Sequence, residues 1–243
     1  MRIILTFFIL LSISITLQAQ HGTKVQNLDL SGSIGPRQET VAFAYVYNWQ
    51  LGKKGKFEIG TGARFTSYFG SNQYYVTAPA KITSGKTGPG VLFAENIIGN
   101  LDSILFNNAQ ANALNITFNL GYNITPKLYA SFNIDAIGFS FGASMPGTYF
   151  NGTSSAPVTA KPTGFNILLI GNNDRGSLNS EFSVRYKLNK QWGIKGGYQF
   201  LFTEYTTSTQ VQTFPEKNDR FRNKSSSFLL GVTYDLNNKK QEL

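Results

Sequence analysis

The 243-residue chain is long enough for one large domain or two small ones, and 41% of it is hydrophobic, 14% aromatic and only 14% charged, against a charged share of roughly 25% in ordinary soluble domains. It has no cysteine and one histidine, which excludes a disulfide framework and a thiolate metal centre. The formal charge of +9 in an exported, aromatic, charge-poor chain argues against nucleic acid and fits attraction to anionic lipid headgroups.

The first element is a targeting segment. Arg2 precedes an apolar stretch from Ile3 to Leu17, and Gln18-Ala19-Gln20 offers a small residue for cleavage, the layout of a secretory signal peptide. Residues 1–19 are therefore expected to leave, and 20–243 to form one domain. The apolar stretch is short of the roughly 20 residues of a spanning helix, and no later segment approaches 18 consecutive apolar residues.

Period-2 alternation then recurs along the chain. Leu28, Leu30 and Ile34 alternate with polar neighbours, as do Val41 to Trp49 and Phe57 to Phe65. "LNITFNLGYNITPKLYASFNID" (114–135) holds two such runs around Thr125-Pro126-Lys127. Its second run changes phase between Ile134 and Ile137, so a β-bulge at Asp135-Ala136 is expected. Leu178 to Leu188, Trp192 to Phe202 and Phe228 to Leu236 complete eight strands. Several are long enough for the about 9–11 residues that cross a membrane.

Gly52-Lys53-Lys54, Thr125-Pro126-Lys127 and Asn189-Lys190-Gln191 are tight turns. Pairing Leu51 with Gly55, Ile124 with Leu128 and Leu188 with Trp192 keeps each apolar set on one face. The intervening connections at 70–110, 142–177 and 206–224 are long, and only Gly35 to Gln38 is short. Short turns at one end and long loops at the other are the plan of an outer-membrane barrel with periplasmic termini. Trp49, Phe57, Tyr122, Tyr186, Trp192 and Tyr234 share the outward parity beside the short turns and would form an aromatic girdle. The expected fold is all-β: an eight-stranded antiparallel up-and-down transmembrane β-barrel, with ten strands if residues 70–110 add a hairpin.

The chain resembles the small outer-membrane β-barrel proteins that include the OmpA transmembrane domain and OmpX. The "LQAQ" signal end and asparagine-rich strands resemble Bacteroidetes-type proteins. The last strand, "SSSFLLGVTYDL", is similar to the terminal signal of barrel assembly, although "NNKKQEL" follows it. The resemblance implies location in the bacterial outer membrane, contact with its lipid and lipopolysaccharide, and a non-enzymatic structural or ligand-binding role through the loops. A subunit of a secretion or envelope-assembly complex, like the PorT-like barrels, is the alternative, and a lipid-modifying outer-membrane enzyme and a narrow channel are further ones.

The Asn/Thr/Gly-rich face would fill the interior, because eight strands enclose only enough room for side chains. By parity the inward charges are Asp29, Glu58, Asp135, Glu181 and Asp235 against Arg64, Arg185, Lys187 and Lys195. They should pair, since a buried charge is costly alone; Lys195 with Asp235 is the first candidate, with Glu58 or Glu181 between Arg185 and Lys195. The lone histidine, His21, precedes the first strand, which argues against a histidine-based triad. Glu58, Glu181 and Asp135 read better as ion-pair partners than as catalysts. No metal motif occurs, no cofactor is expected, and "SGKTGPG" (84–90) lacks phosphate-loop spacing. Leu92, Phe93, Ile97, Ile98, Leu101, Ile104 and Leu105 lie near helical spacing, which fits a helix capping the barrel mouth, a partner-binding element or the extra hairpin. Lys217, Arg220, Arg222 and Lys224 form a basic run suited to lipid phosphates.

Overall fold

The computed structural model describes residues 23–152, 154–169 and 173–236. In chain order the strands are β1 (Lys24–Gly35), β2 (Gln38–Leu51), β3 (Phe57–Thr77), β4 (Ser103–Asn123), β5 (Leu128–Phe141), β6 (Met145–Phe150), β7 (Ser155–Pro162), β8 (Phe165–Ile167), β9 (Leu178–Lys187), β10 (Trp192–Thr207) and β11 (Arg220–Asp235). A short helix, α1 (Ala80–Ser84), follows β3. Each strand pairs antiparallel with its neighbours: β1 with β2, β2 with β3, β3 with β4, β4 with β5, β5 with β9, β9 with β10, β10 with β11, and β11 back to β1. The fold is thus an up-and-down antiparallel barrel with a closed ring of eight strands. Closure gives every strand of that ring a partner on both sides.

The register follows the alternation closely. Ile124 donates its backbone N–H to Leu128, and Leu188 donates to Trp192, both at 2.9 Å. Thr117 pairs with Asp135 while Ile116 pairs with Ile137, so Ala136 is the extra residue of a bulge. The first turn differs from expectation: Leu51 lies opposite Phe57, not Gly55. Gly52 and Gly55 take left-handed φ values of 75° and 57°, open to glycine without a steric penalty, and these lengthen the loop by two residues without changing parity. The chain ends of the ring, Lys24 beside Trp49 and Asp235 beside Asn27, both lie at this turn end.

The loop end departs further from the sequence reading. β3 and β4 continue well past the β1–β2 hairpin, with Val76 opposite Ser103. Here β11 pairs directly with β3, β4 pairs with β6, β6 with β7, and β7 with β10. These pairings close a second, six-stranded ring, β3-β4-β6-β7-β10-β11, stacked on the first. The added hairpin is β6–β7, from residues 142–177, not one within 70–110. The expected amphipathic helix over 92–105 is also absent. The backbone there makes 3-10 turns at Gly88–Phe93 and Ile98–Asn100, and Ile104 already belongs to β4.

The buried face changes side where the rings meet. Along β3 the buried residues are even-numbered through Tyr68 and odd-numbered at Tyr75 and Thr77; along β4, Ala109 and Ala111 give way to Phe106 and Ile104. The switch falls at Asn72, whose φ of 51° is left-handed, and at the exposed pair Asn107–Asn108. Asparagine tolerates such a backbone better than most residues. Above the switch, Tyr75, Ile104, Phe106, Tyr149, Tyr205 and Phe221 form an apolar core. Tyr75 meets Phe106 and Tyr205 edge-on with centroids 5.1 Å apart, a favourable aromatic arrangement. Below it, the interior is polar and the exterior apolar: Phe118 is 41% exposed and Phe228 78%. A soluble barrel would hide both.

Candidate functional sites in the lumen and at the loop end

Alternation sends Arg64, Asp135, Glu181, Lys195 and Asp29 into the ring from five strands, and they meet in one chain of charges. Arg64 donates from Nη2 and Nε to Asp135 Oδ1 at 2.6 and 2.9 Å, and its Nη1 lies 3.0 Å from Glu181 Oε1. Glu181 Oε2 is 3.4 Å from Lys195 Nζ, which donates to Asp29 at 3.0 Å. Asn115 and the Asn179 backbone N–H also donate to Asp135, at 2.7 and 2.9 Å. Buried charges are tolerated when paired and hydrogen-bonded in this way.

Lys195 does not reach Asp235. Its Cα partner on β11 is Gly231, four residues away, and ring closure brings Asp29 of β1 within reach instead. Arg185 and Lys195 are Cα partners, and of the two acids expected between them Glu181 lies 3.4 Å from Lys195. Arg185 stacks its guanidinium 4.5 Å over the Tyr129 ring, a cation–π contact. Tyr129 in turn donates to Glu58 at 2.9 Å, and Asn123, Asn48 and Gln50 donate to the same carboxylate. Lys187 and Asp235 are half-buried at the turn-end mouth, around a void of about 10 Å³. A second void, of about 20 Å³, lies between Asp29, Arg185 and Lys195. Each is sized for about one water molecule, so side chains fill the ring at this level.

The proposed girdle residues sit at the turn end with outward parity. Phe57 packs on Tyr122 (centroids 4.8 Å apart) and Trp192 on Tyr234 (4.9 Å); Trp49 lies near Tyr47, and Tyr186 is exposed.

The basic run is not a loop cluster. Lys217 is exposed in the loop, whereas Arg220, Arg222 and Lys224 belong to β11. Arg220 and Arg222 are occupied by Glu204, a residue the sequence reading missed. Arg220 Nε donates to Oε1 at 2.8 Å, and Arg222 Nη2 to Oε2 at 2.7 Å. Both arginines also donate to the Asp174 backbone carbonyl. Glu204 has the outward parity yet is fully buried, beside the 173–177 stretch, where Ser177 Oγ accepts its backbone N–H. Burial alone would raise its carboxyl; Arg220 and Arg222 overcome that and hold it below the usual range.

No group of three or more histidine, cysteine, aspartate or glutamate side chains suited to a metal occurs among the described residues. His21, the expected signal peptide and the tail after Leu236 lie outside them.

No family model matches the chain, and no curated protein matches it significantly. Among solved structures, it is similar to Neisserial surface protein A (8% identity, 87% of this chain and 95% of that one, TM-score 0.34). It is also similar to Ail, the attachment invasion locus protein of Yersinia pestis (8%, 88% and 98%, 0.35), and to a major outer membrane protein from Thermus thermophilus (10%, 88% and 100%, 0.38). Likeness this slight carries no weight for function, which rests on the side chains.

Proposed function

We propose that the protein is an integral barrel of the bacterial outer membrane, of the OmpA/OmpX type and from a Bacteroidetes-type bacterium. It is exported by its N-terminal segment, with both chain ends periplasmic and the six-stranded ring outside the cell. The observation that carries this reading is the reversal of sidedness between the two rings. The eight-stranded ring is apolar outside and polar inside, which suits hydrocarbon around a sealed core. The six-stranded ring is apolar inside, which suits water around it. In hydrocarbon every backbone polar group must be paired internally, and a closed ring does this. The outward run from Trp192 to Phe202 on β10 has the length of a membrane-crossing strand, about 9–11 residues.

The role is non-enzymatic: the six-stranded collar presents loops to a ligand or envelope partner. Phe93, Ile98 and Phe214 are strongly exposed among the loop-end residues, and exposed apolar residues at a tip favour contact with another surface. The same residues support the alternative, a subunit of a secretion or envelope-assembly complex. Cell fractionation combined with gel mobility before and after heating tests location and closure together: the protein should be in the outer membrane and migrate faster unheated. A soluble fraction with unchanged mobility contradicts the reading. Co-purification in mild detergent separates the two roles, since a stoichiometric protein partner selects the complex. A changed lipid A acyl pattern on gene deletion would contradict the non-enzymatic role.

A further inference from the structure

At the loop end, bases stand beside acids. Arg220 and Arg222 hold Glu204, Lys81 lies 2.7 Å from Glu216, and Lys224 is attracted by Asp174. The turn end is different. Lys53 and Lys54 lie in the β2–β3 turn, Lys56 directly precedes Phe57, and Lys127 closes the β4–β5 turn. All of these lysines are exposed, and none forms an ion pair among the described residues. The two turns are neighbours, because the Lys56 carbonyl accepts the backbone N–H of Asn123, the last residue of β4, at 2.8 Å. The lysines therefore follow one arc of the barrel mouth.

The acids at this end do not neutralise the arc. Glu58 is 3% exposed and accepts from Tyr129, Asn123, Asn48 and Gln50. Asp235 is half-buried on β11 beside the β9–β10 turn, where its backbone N–H meets the Gln191 carbonyl and its side chain shares a void with Lys187. The girdle fixes the level of the arc. Lys56 Nζ stands 6.0 Å from the centroid of Tyr122, which packs on Phe57. Aromatic girdles lie at the boundary between hydrocarbon and headgroups. A lysine stem runs along apolar surface there and leaves its ammonium in the polar layer.

We infer that the turn end binds anionic phospholipid headgroups through Lys53, Lys54, Lys56 and Lys127. The inference rests on the membrane reading above, whose orientation puts this end in the periplasmic leaflet. Each ammonium donates to a phosphate oxygen in a charge-assisted hydrogen bond. A zwitterionic headgroup brings its own cation, which the lysines repel, so the arc discriminates by net charge. Clustered bases at a membrane surface attract anionic lipid in this way, and the attraction falls off within a Debye length, so it is confined to this end.

Fluorescence quenching by brominated lipid tests this. The chain has two tryptophans, and Trp192→Phe leaves Trp49, beside the first turn, as the reporter. The barrel is reconstituted in phosphatidylcholine carrying a small, equal mole fraction of brominated phosphatidylglycerol or brominated phosphatidylcholine. The expected result is several-fold stronger quenching by the phosphatidylglycerol. Lys53→Gln, Lys54→Gln, Lys56→Gln and Lys127→Gln together should bring the two lipids to equality, and Arg at the same positions should keep the preference. Heat-modifiable gel mobility checks that both variants are folded. Equal quenching before those changes, or a preference that survives the change to Gln, overturns the inference. A second reporter, Phe69→Trp with both native tryptophans changed to Phe, sits at the far end of the apolar band, opposite Glu39. It should show little preference; a preference as large as that of Trp49 would assign the attraction to the whole protein's charge and overturn the inference. Replacing chloride by inorganic phosphate at equal ionic strength should leave the Trp49 preference intact, and its loss would assign the lysines to free phosphate instead of lipid. Quenching of Trp49 by neither lipid contradicts the membrane reading itself, and the inference falls with it.

Discussion

Arg64 Nη1 and Glu181 Oε1 lie 3.0 Å apart in the middle of the lumen, joining the Arg64–Asp135 pair to Lys195 and Asp29. Removing Arg64 takes a partner from two fully buried carboxylates, Asp135 and Glu181, whereas removing Lys195 leaves Glu181 on Arg64 and strands Asp29, whose side chain keeps 11% exposure. Arg64→Met is therefore expected to cost about 3–5 kcal/mol and Lys195→Met clearly less. Urea unfolding of the refolded barrel in detergent, followed by tryptophan fluorescence, measures both.

Glu58 depends on Tyr129, and Tyr129 depends on a missing side chain. A Cβ at Gly121 would stand 1.8 Å from Tyr129 Oη, so Gly121→Ala must push the phenol away from the carboxylate. The expected loss is about 1–3 kcal/mol. The same change should cost much less in a Tyr129→Ala background, where the obstructing ring is gone. A double-mutant cycle by urea unfolding reads that difference.

The loop-end clasp makes a pH prediction. Glu204 has a folded pKa below its ordinary value because Arg220 and Arg222 outweigh its burial. Its contribution is thus fully present above the unfolded carboxyl pKa of about 4.3, and is lost as pH falls through the lower folded value. Glu204→Gln should lower the melting temperature at neutral pH, and the gap from the unaltered protein should close on acidification. A gap independent of pH would place the effect in packing rather than in charge.

The bulge sets the phase of half a strand. Deleting Ala136 removes the one unpaired residue, so Ile137 follows Asp135 in regular alternation and Ile137, Phe139 and Phe141 stay outward. The variant is expected to keep heat-modifiable gel mobility. Lost mobility would show that the bulge itself is needed for closure.

The eight-stranded ring was legible because strands with one apolar face repeat a strict alternation, and short turns such as Thr125-Pro126-Lys127 leave little choice of register. The phase change at Ile134–Ile137 was legible for the same reason. The second ring was not, because the parity switch at Asn72 and Asn107–Asn108 breaks alternation in both partners together. "SILFNNAQANAL" reads as one strand only if a change of face is allowed between Phe106 and Ala109. The inward charges could be listed by parity, but not paired: Lys195 finds Asp29 across a closure that joins the first strand to the last. Glu204 was missed because its parity points outward, and its burial comes from the folded 173–177 stretch, far from it in sequence.

The central claim is that Phe118 and Phe228 meet acyl chains while the residues between them seal the lumen. The absence of cysteine allows a nitroxide label at Phe118→Cys or Phe228→Cys, with collision rates measured by electron paramagnetic resonance in bilayers. Both labels are predicted to collide readily with dissolved oxygen, which concentrates in hydrocarbon, and rarely with a water-soluble nickel chelate. Labels that collide freely with the chelate, on a chain that stays folded in buffer without lipid, would contradict the account.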